Sequence, residues 1–429
     1  MQEALSEALA LSRVQFGLNI GFHILFPAIT IGLSWLLAYV RVRHAISGER
    51  AWLETYRLWV KVFALTFAVG VVTGIVMSFQ FGTNWPGFMN KVGAVAGPLL
   101  AYEVLTAFLF EATFLGVMLF GIERVPGWVH LLSTLVVAAG TTVSAFWILA
   151  LNSWMQTPAG HVVEGGQVLP ASWLGVIFNP SFPWRFAHMV LASAITAAFL
   201  VAGLAAWRLL AAPEHAGARA SLRMGAHAAA VLLPLQIFVG DQHGLNTLAH
   251  QPAKIAAIEA LWHTARGAPL TLFALVDEER RENRYAIEVP KGASLVLTHS
   301  AEGEVKGLDA FADHAPVMPV FLAFRVMVGT GLAMLALAWG SLRFLRRPPR
   351  WLLWAFVLFT FSGWVAVLAG WIVTEVGRQP WLVTGILRTA DALGEAGPAR
   401  LGASLTAYVL TYAALLLAYV FTLFHMARK

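Results

Sequence analysis

The sequence predicts an all-α polytopic membrane protein of about nine transmembrane helices, with its N-terminus outside and its C-terminus in the cytoplasm. Three observations carry this. Of 429 residues 59% are hydrophobic and only 12% charged, a balance that suits membrane helices rather than one large soluble core. Apolar runs of about 20 residues recur, each matching a hydrocarbon core of about 30 Å. Lysines and arginines fall unevenly on alternate sides of those runs.

The runs lie at 14–40, 58–80, 98–122, 129–154, 184–210, 222–240, 317–342, 351–375 and 403–426. Backbone groups in lipid have no water to bond, so runs of this length are helices. The first eleven residues are mildly amphipathic and acidic. The first run shows no cleavable signal and is long enough to span and stay. No internal repeat is apparent, although a transporter built of inverted halves would hint at one. Fifteen basic residues, among them Arg41, Arg57, Arg208, Arg346 and Lys429, fall on one side, and six, Arg13, Lys91, Arg185, Arg378, Arg388 and Arg400, on the other. The positive-inside rule sets the orientation from that contrast. The chain thus divides into six helices over 1–240, a 76-residue outer loop over 241–316, and three helices over 317–429. The loop carries seven more basic residues. It is too long to count in the rule and is the one candidate for a functional loop.

Cysteine is absent. That excludes disulfides, thiolate metal sites and thioether-attached haem, and leaves His, Met, Glu and Asp as metal ligands. The net charge of +6 sits mostly in loops and reflects topology, not nucleic-acid binding.

Residues 370–381 read Gly-Trp-Ile-Val-Thr-Glu-Val-Gly-Arg-Gln-Pro-Trp. Glu375 closes an apolar span, where a charge costs about 2.5–3.5 kcal/mol even on the lenient insertion scale. It therefore needs a cation, a proton or a metal. Trp371 lies one turn earlier on the same face, and Arg378 follows the helix end. Two readings stand side by side. Acid, flat ring and guanidinium suit a haem with its iron, plane and propionates; an interfacial Glu–Arg pair with a belt tryptophan is the bland alternative.

His23 lies in Gly17-Leu-Asn-Ile-Gly21-Phe-His23-Ile-Leu-Phe-Pro27. Gly17 and Gly21 share a face that a flat ring could approach, and Pro27 loosens the helix at the histidine. The commoner role for such a histidine is a hydrogen bond to a neighbouring helix. His188 follows Pro183-Trp184-Arg185 at the start of the fifth span. Met327 sits two residues after Arg325 in the seventh. A membrane methionine usually packs, but an intramembrane arginine needs an anion, which a propionate would supply. A His–Met axial pair gives a six-coordinate haem suited to electron transfer. In the third span Glu103, Ala107 and Glu111 follow an i, i+4, i+8 ridge that sets the carboxyls about 12 Å apart along the axis. Two buried acids suit a proton relay or a buried cation site. With this topology His23, His188, Met327 and Glu375 share the outer half of the bilayer.

Five stretches then resemble one family: Ser12-Arg13-Val-Gln15-Phe16, Phe79-Gln80-Phe81-Gly82-Thr83-Asn84-Trp85, Asn152-Ser-Trp154-Met155-Gln156, Arg325-Val-Met327 and Gly377-Arg378-Gln379-Pro380-Trp381. Across nearly its whole length the chain resembles subunit I of the cytochrome bd-type quinol oxidases, including their cyanide-insensitive branch. The resemblance implies a multi-pass protein of the bacterial inner membrane. It implies that His188 and Met327 ligate a low-spin haem b beside Arg325. His23 and Glu375 would bind two high-spin haems, one a haem b and the other a haem d or a third haem b. Trp371, Arg378 and Gln379 would line that cofactor region, and Glu103, Glu111 and Ser144 the proton path to it.

The loop after the sixth helix would bind quinol, with Lys254 donating to a quinone carbonyl and Glu259 accepting a quinol proton. Taken alone, these two are an i, i+5 couple on a solvated surface. The loop lacks a long insertion, and Asp241-Gln242-His243-Gly244 resembles the cyanide-insensitive branch. The implied reaction is quinol oxidation at the outer face and O2 reduction to water with cytoplasmic protons, charging the membrane without a pump. A homologous subunit II and a very small single-helix subunit are the implied partners. Two rival readings remain from the residues themselves: a membrane b-type cytochrome passing electrons to another protein, and a cation-coupled transporter using Glu103 and Glu111.

Overall fold

The computed structural model describes residues 2–428; Lys429, counted above with one side's basic residues, lies outside them. Among the described residues nine helices are long and apolar enough to cross a membrane. Apart from the short helices Trp173–Ile177 and Gly292–Thr298, the helices in chain order are α1 (Gln2–Ser47), α2 (Arg50–Thr83), α3 (Pro86–Phe120), α4 (Gly127–Gln156), α5 (Phe182–Ala211), α6 (Ala216–His250), the eight-residue α7 (Pro252–Glu259), α8 (Val317–Phe344), α9 (Arg350–Val376) and α10 (Pro398–Arg428). All but α7 are spans, and every expected run falls on one of them. Several helices outrun their apolar stretch. The clearest case is α6, which continues to His250 rather than ending near 240, so Gly240–Gly244 is helical and the Thr247 hydroxyl donates to the His243 carbonyl at 2.8 Å.

Small residues decide how closely the helices approach, as expected where lipid supplies no hydrophobic drive between them. The seam runs along α5. A β-carbon at Gly32 of α1 would lie 2.4 Å from the Ser193 carbonyl oxygen, one at Gly225 of α6 2.5 Å from that of Ala198, and one at Gly363 of α9 2.5 Å from the Thr196 hydroxyl. Three helices thus pack backbone-close on the fifth. Around them lies a core that includes Phe26, Phe63, Leu200, Trp364 and Tyr419.

Two helices depart from regular α geometry. Glu103–Phe108 of α3 is a π-helix, and α9 is interrupted between Leu358 and Ser362. The π stretch alters the expected acidic ridge. On an ideal α-helix residues eight apart drift about 80° around the axis; wider π turns rotate less per residue and return Glu111 toward the line of Glu103. The Ala107 side chain, expected between them, is outside what is described.

The extramembrane parts are small two-stranded sheets. β1 (His161–Glu164) pairs with β2 (Gln167–Pro170) between α4 and α5. In the 251–316 connection β3 (Ala265–Arg266) pairs with β6 (Glu304–Val305), and β4 (Leu270–Asp277) with β5 (Glu282–Val289). β7 (Trp381–Val383) and β8 (Leu387–Arg388) follow α9. The long connection is anchored, because Ile255, Ala256, Ala257 and Ile258 of α7 share a buried cluster with Val320, Phe321, Ala369 and Val373 of α8 and α9.

Replacing Gly225 with valine should wedge α5 from α6 and destabilise the protein by about 1–3 kcal/mol, the usual range for overpacking. Gly402→Ala, where nothing lies within 4 Å of the new carbon, should leave stability unchanged. Thermal denaturation of the two variants in detergent measures the contrast.

Candidate cofactor site

His23 faces α2. Its Nδ1 lies 3.0 Å from the Thr73 hydroxyl, and a β-carbon at Gly74 would come within 3.1 Å of its Cε1. Thr73 gives its one hydrogen to the Val69 or Gly70 carbonyl, at 2.9 and 3.0 Å. In the Nδ1–H tautomer of His23 the hydroxyl accepts from the ring, and the lone pair is left on Nε2, the arrangement a metal-ligating imidazole needs. The interhelical hydrogen bond expected of a bland histidine is present, and it is also the one that prepares a ligand. On the glycine face of α1, Gly21 meets Leu368 of α9 at 3.7 Å, whereas a β-carbon at Gly17, one turn toward the chain start, meets nothing within 4 Å. Leu368, Trp371 and Glu375 share one face of α9, so the space beside Gly17 opens toward the last two.

His188 packs against α6. A β-carbon at Gly240 would lie 3.3 Å from its Cε1, its ring is 5.5 Å from that of His243, and its buried Nδ1 has no hydrogen-bond partner. Met327 of α8 packs on α9, where a β-carbon at Gly370 would lie 3.0 Å from its sulfur. Gly370 and Trp371 are neighbours about 100° apart around the helix. α9 therefore turns one face to the thioether and another to Trp371, which packs with Ile24 and Ile31 of α1 and Ala145 of α4.

Glu375 is half-buried and bound on both oxygens. Oε1 accepts from Asn152 Nδ2 at 2.9 Å, and Oε2 pairs with Arg378. Gln156, one turn after Asn152 on α4, donates to the Thr374 carbonyl at 3.3 Å, while its own Oε1 accepts from Lys254 Nζ at 2.6 Å and from Gln251 at 3.0 Å. Lys254 also donates to Gln251 Oε1 at 3.1 Å and the Thr374 carbonyl at 3.2 Å. All three ammonium hydrogens have acceptors. Lys254 is buried rather than solvated, and burial together with the nearby Arg185 and Arg378 guanidiniums holds its pKa well below the usual lysine range. Gln379 accepts from Thr389 at 2.9 Å, which ties the turn after α9 to the β7–β8 loop.

Glu259 is buried too, and its partners differ from those of Lys254. It pairs with Arg325 of α8 at 2.8 Å; that guanidinium also bonds the Thr271 carbonyl at 2.6 Å and the Ile258 carbonyl, and lies 4.2 Å from the Phe321 ring. The anion that an intramembrane arginine requires is thus a loop carboxylate. Burial raises the Glu259 pKa against the opposing pull of Arg325. On α3, Glu103 accepts from the Ser144 hydroxyl of α4 at 2.7 Å, and Glu111 is buried with Oε1 unpartnered.

The donor set fits a flat, anionic, iron-bearing group. An imidazole and a thioether are held against glycines, a second imidazole has Nε2 free, and buried donors lack partners at Arg378 (Nε, Nη1) and Arg185 (Nε). These last are positioned for an acid, and Arg185 is a residue for which sequence reasoning found no role. Asn152, Gln156, Gln251 and His243 were likewise unassigned; three of them lay in quoted stretches, and the signal of Asn152 and Gln156 was an amide inside an apolar run.

Such a bundle, with ligand-type side chains between helices beneath a packed loop, defines an integral membrane redox protein. The family model for cytochrome bd terminal oxidase subunit I matches residues 11–429, and the chain belongs to that family. It is 34% identical over 402 residues to cytochrome bd ubiquinol oxidase subunit 1 of Bacillus subtilis (strain 168), covering 90% of this chain and 86% of that protein. It is 32% identical over 496 aligned positions to cytochrome bd-II ubiquinol oxidase subunit 1 of Escherichia coli (strain K12), covering 98% and 96%. Its structure matches that of the bd oxidase from Geobacillus thermodenitrificans with a TM-score of 0.91 at 31% identity over 98% of both chains.

Gly370→Val would drive a side chain into the Met327 sulfur. The haem bands in the visible spectrum of the purified protein should then be perturbed, whereas Gly329→Ala, beside open space, should not change them.

Proposed function

We propose that this chain is the haem-bearing subunit of a terminal quinol oxidase of the bacterial inner membrane, which oxidises quinol at its loop end and reduces O2 to water. The observation that carries this reading is the burial of Lys254 and Glu259, each tied to a different ligand-bearing helix. Lys254 reaches α9 through Thr374 and Gln156, and Glu259 reaches α8 through Arg325. A quinol bound between them touches groups bonded to both helices. Family membership and the named ubiquinol oxidase relatives support the same activity.

His188 and Met327 would hold a low-spin haem b, and His23 and Glu375 two high-spin haems, one b and the other d or b. Once bound, these haems supply one-electron transfer and, at an iron with a vacant position, oxygen reduction. The protein's own residues do the rest. Lys254 donates to the quinone oxygen in place of one of its amide partners. Glu259, its pKa raised by burial, accepts the quinol proton and releases it outward. Trp371 fills the space between the helices that carry His23 and Glu375. Glu111, Glu103 and Ser144 pass protons inward from the cytoplasm. With the loop end outside, as the basic residues place it, turnover charges the membrane without a pump. A homologous subunit II and a very small single-helix subunit would complete the complex. The loop would be of the short type, without a long insertion.

The first test is a carbon monoxide difference spectrum of the quinol-reduced complex. A carbon monoxide-sensitive band over a low-spin b signal is expected, and its position separates haem d from haem b. Haem bands without that response would leave an electron-transfer cytochrome, and a colourless preparation a transporter.

Glu375→Ala should remove or disorder one high-spin haem, so a full haem complement in that variant would sink its assignment as a ligand. For Glu259, the ionised, proton-accepting fraction grows as pH rises through its raised pKa. Quinol oxidation should climb over that range in the native protein. Glu259→Gln should abolish the climb and slow turnover by about 10²-fold or more, the usual contribution of a general base.

A further inference from the structure

The end of α2 holds a cluster of unpartnered polar atoms that none of the roles above uses. Both side-chain polar atoms of Gln80, Nδ2 of Asn84 and Nε1 of Trp85 are buried without a hydrogen-bond partner. The three residues are 2%, 6% and 5% exposed. Buried polar groups nearly always find partners, so four orphans within six residues mark a place built for something else. Asn84 Oδ1 accepts from the Thr83 hydroxyl at 2.9 Å, and its backbone carbonyl accepts from Gly394 N–H at 2.9 Å. Three of the four orphans are N–H donors, which makes the complementary ligand an acceptor of several hydrogen bonds.

Position identifies the acceptor. Thr73, Met77, Gln80 and Asn84 are spaced i, i+4, i+7, i+11 and form one buried stripe of α2. Thr73 at its foot is the residue that orients His23. Gln80 stands about 10 Å further along the same face. Trp85 packs beside Phe16 of α1, with ring centres 6.3 Å apart, and shares a buried cluster with Leu151, the neighbour of Asn152. The cluster therefore lies toward the loop end from His23, on the side of the helices that carry both His23 and the partners of Glu375.

We propose that Gln80, Asn84 and Trp85 form a cradle for the propionate carboxylates of the haem that His23 ligates. The inference rests on the haem reading above and adds the residues that hold the acidic edge of that haem. Amide and indole donors suit this place because they bind a carboxylate without adding to the buried cations Arg185, Lys254 and Arg378.

The test compares the native complex with Gln80→Met, Gln80→Glu and Trp85→Phe. Haem content per protein is measured, with the potential of the high-spin component from spectroelectrochemical titration and the low-spin band as the control for folding. In Gln80→Glu, which sets a like charge against the propionate, high-spin haem should fall at least two-fold. In Gln80→Met and Trp85→Phe the high-spin potential should shift to lower values, because a carboxylate stripped of donors favours ferric iron. The low-spin band should stay constant in all three. A full high-spin complement at the native potential in both Gln80 variants would overturn the cradle and leave it a pocket for buried water. If Gln80→Glu fails to assemble, Gln80→Met decides. Absence of haem from the native complex would overturn the haem reading itself, before any variant is made.

Discussion

Arg185, Lys254 and Arg378 are buried together around a single carboxylate, Glu375, and the loop end of the molecule is organised to make this tolerable. Like charges at close range in a medium of low dielectric repel strongly, and each loses its hydration. Neutral amides carry much of the compensation. Gln156 and Gln251 accept from Lys254, Gln251 accepts from Arg185 at 3.4 Å, and Asn152 steadies the carboxylate. To bring these side chains together, α4, α5, α7 and α9 must end at one level and the loop must pack down on them. Positive charge still outweighs negative, and guanidinium hydrogens at Arg378 and Arg185 remain without acceptors. An anionic cofactor edge would complete the balance.

Close helix approach is the other half of that arrangement. The glycines that meet α5 allow the spans carrying His23, Glu375 and Gly240 to converge on the helix that bears His188. Other glycines have a local task. Gly74, Gly240 and Gly370 each stand where a ligand-type side chain, His23, His188 or Met327, lies against the backbone. Three glycines on three helices thus make room for three candidate ligands.

The nine spans were legible because a run of apolar residues in lipid has one backbone solution. His23, His188, Glu103, Glu111 and Glu375 stood out for the same reason, since a polar side chain inside such a run needs an explanation. Pairings across the fold were not legible. Lys254 and Glu259 look like a solvated couple because the apolar surface that buries α7 comes from α8 and α9, more than sixty residues later in the chain. The partner of Arg325 is a loop carboxylate that no local pattern indicates. The end of α6 was set too early because Asp241, Gln242 and His243 lower the hydropathy without breaking the helix. The π segment of α3 has no signature in composition, although it decides how Glu103 and Glu111 line up. Gln80 and Asn84 were visible as part of a motif, but only the finding that both carry buried amide atoms without partners gives them a task.

The link between Glu259 and Arg325 has a consequence for how the chain is made. Glu259 and Lys254 leave the ribosome before α8 and α9 exist; the amides of Gln156 and Gln251 that accept from Lys254 are already made, but Arg325, Thr374 and the face around Val373 arrive only with those later helices. During synthesis the loop must therefore wait with its glutamate hydrated and unpaired. Arg325, for its part, enters the bilayer as α8 inserts and is matched only when the waiting loop closes over it. Closure of the loop is in this way a late step of biogenesis, and the order of translation leaves an open interval in which the space beneath it can be filled.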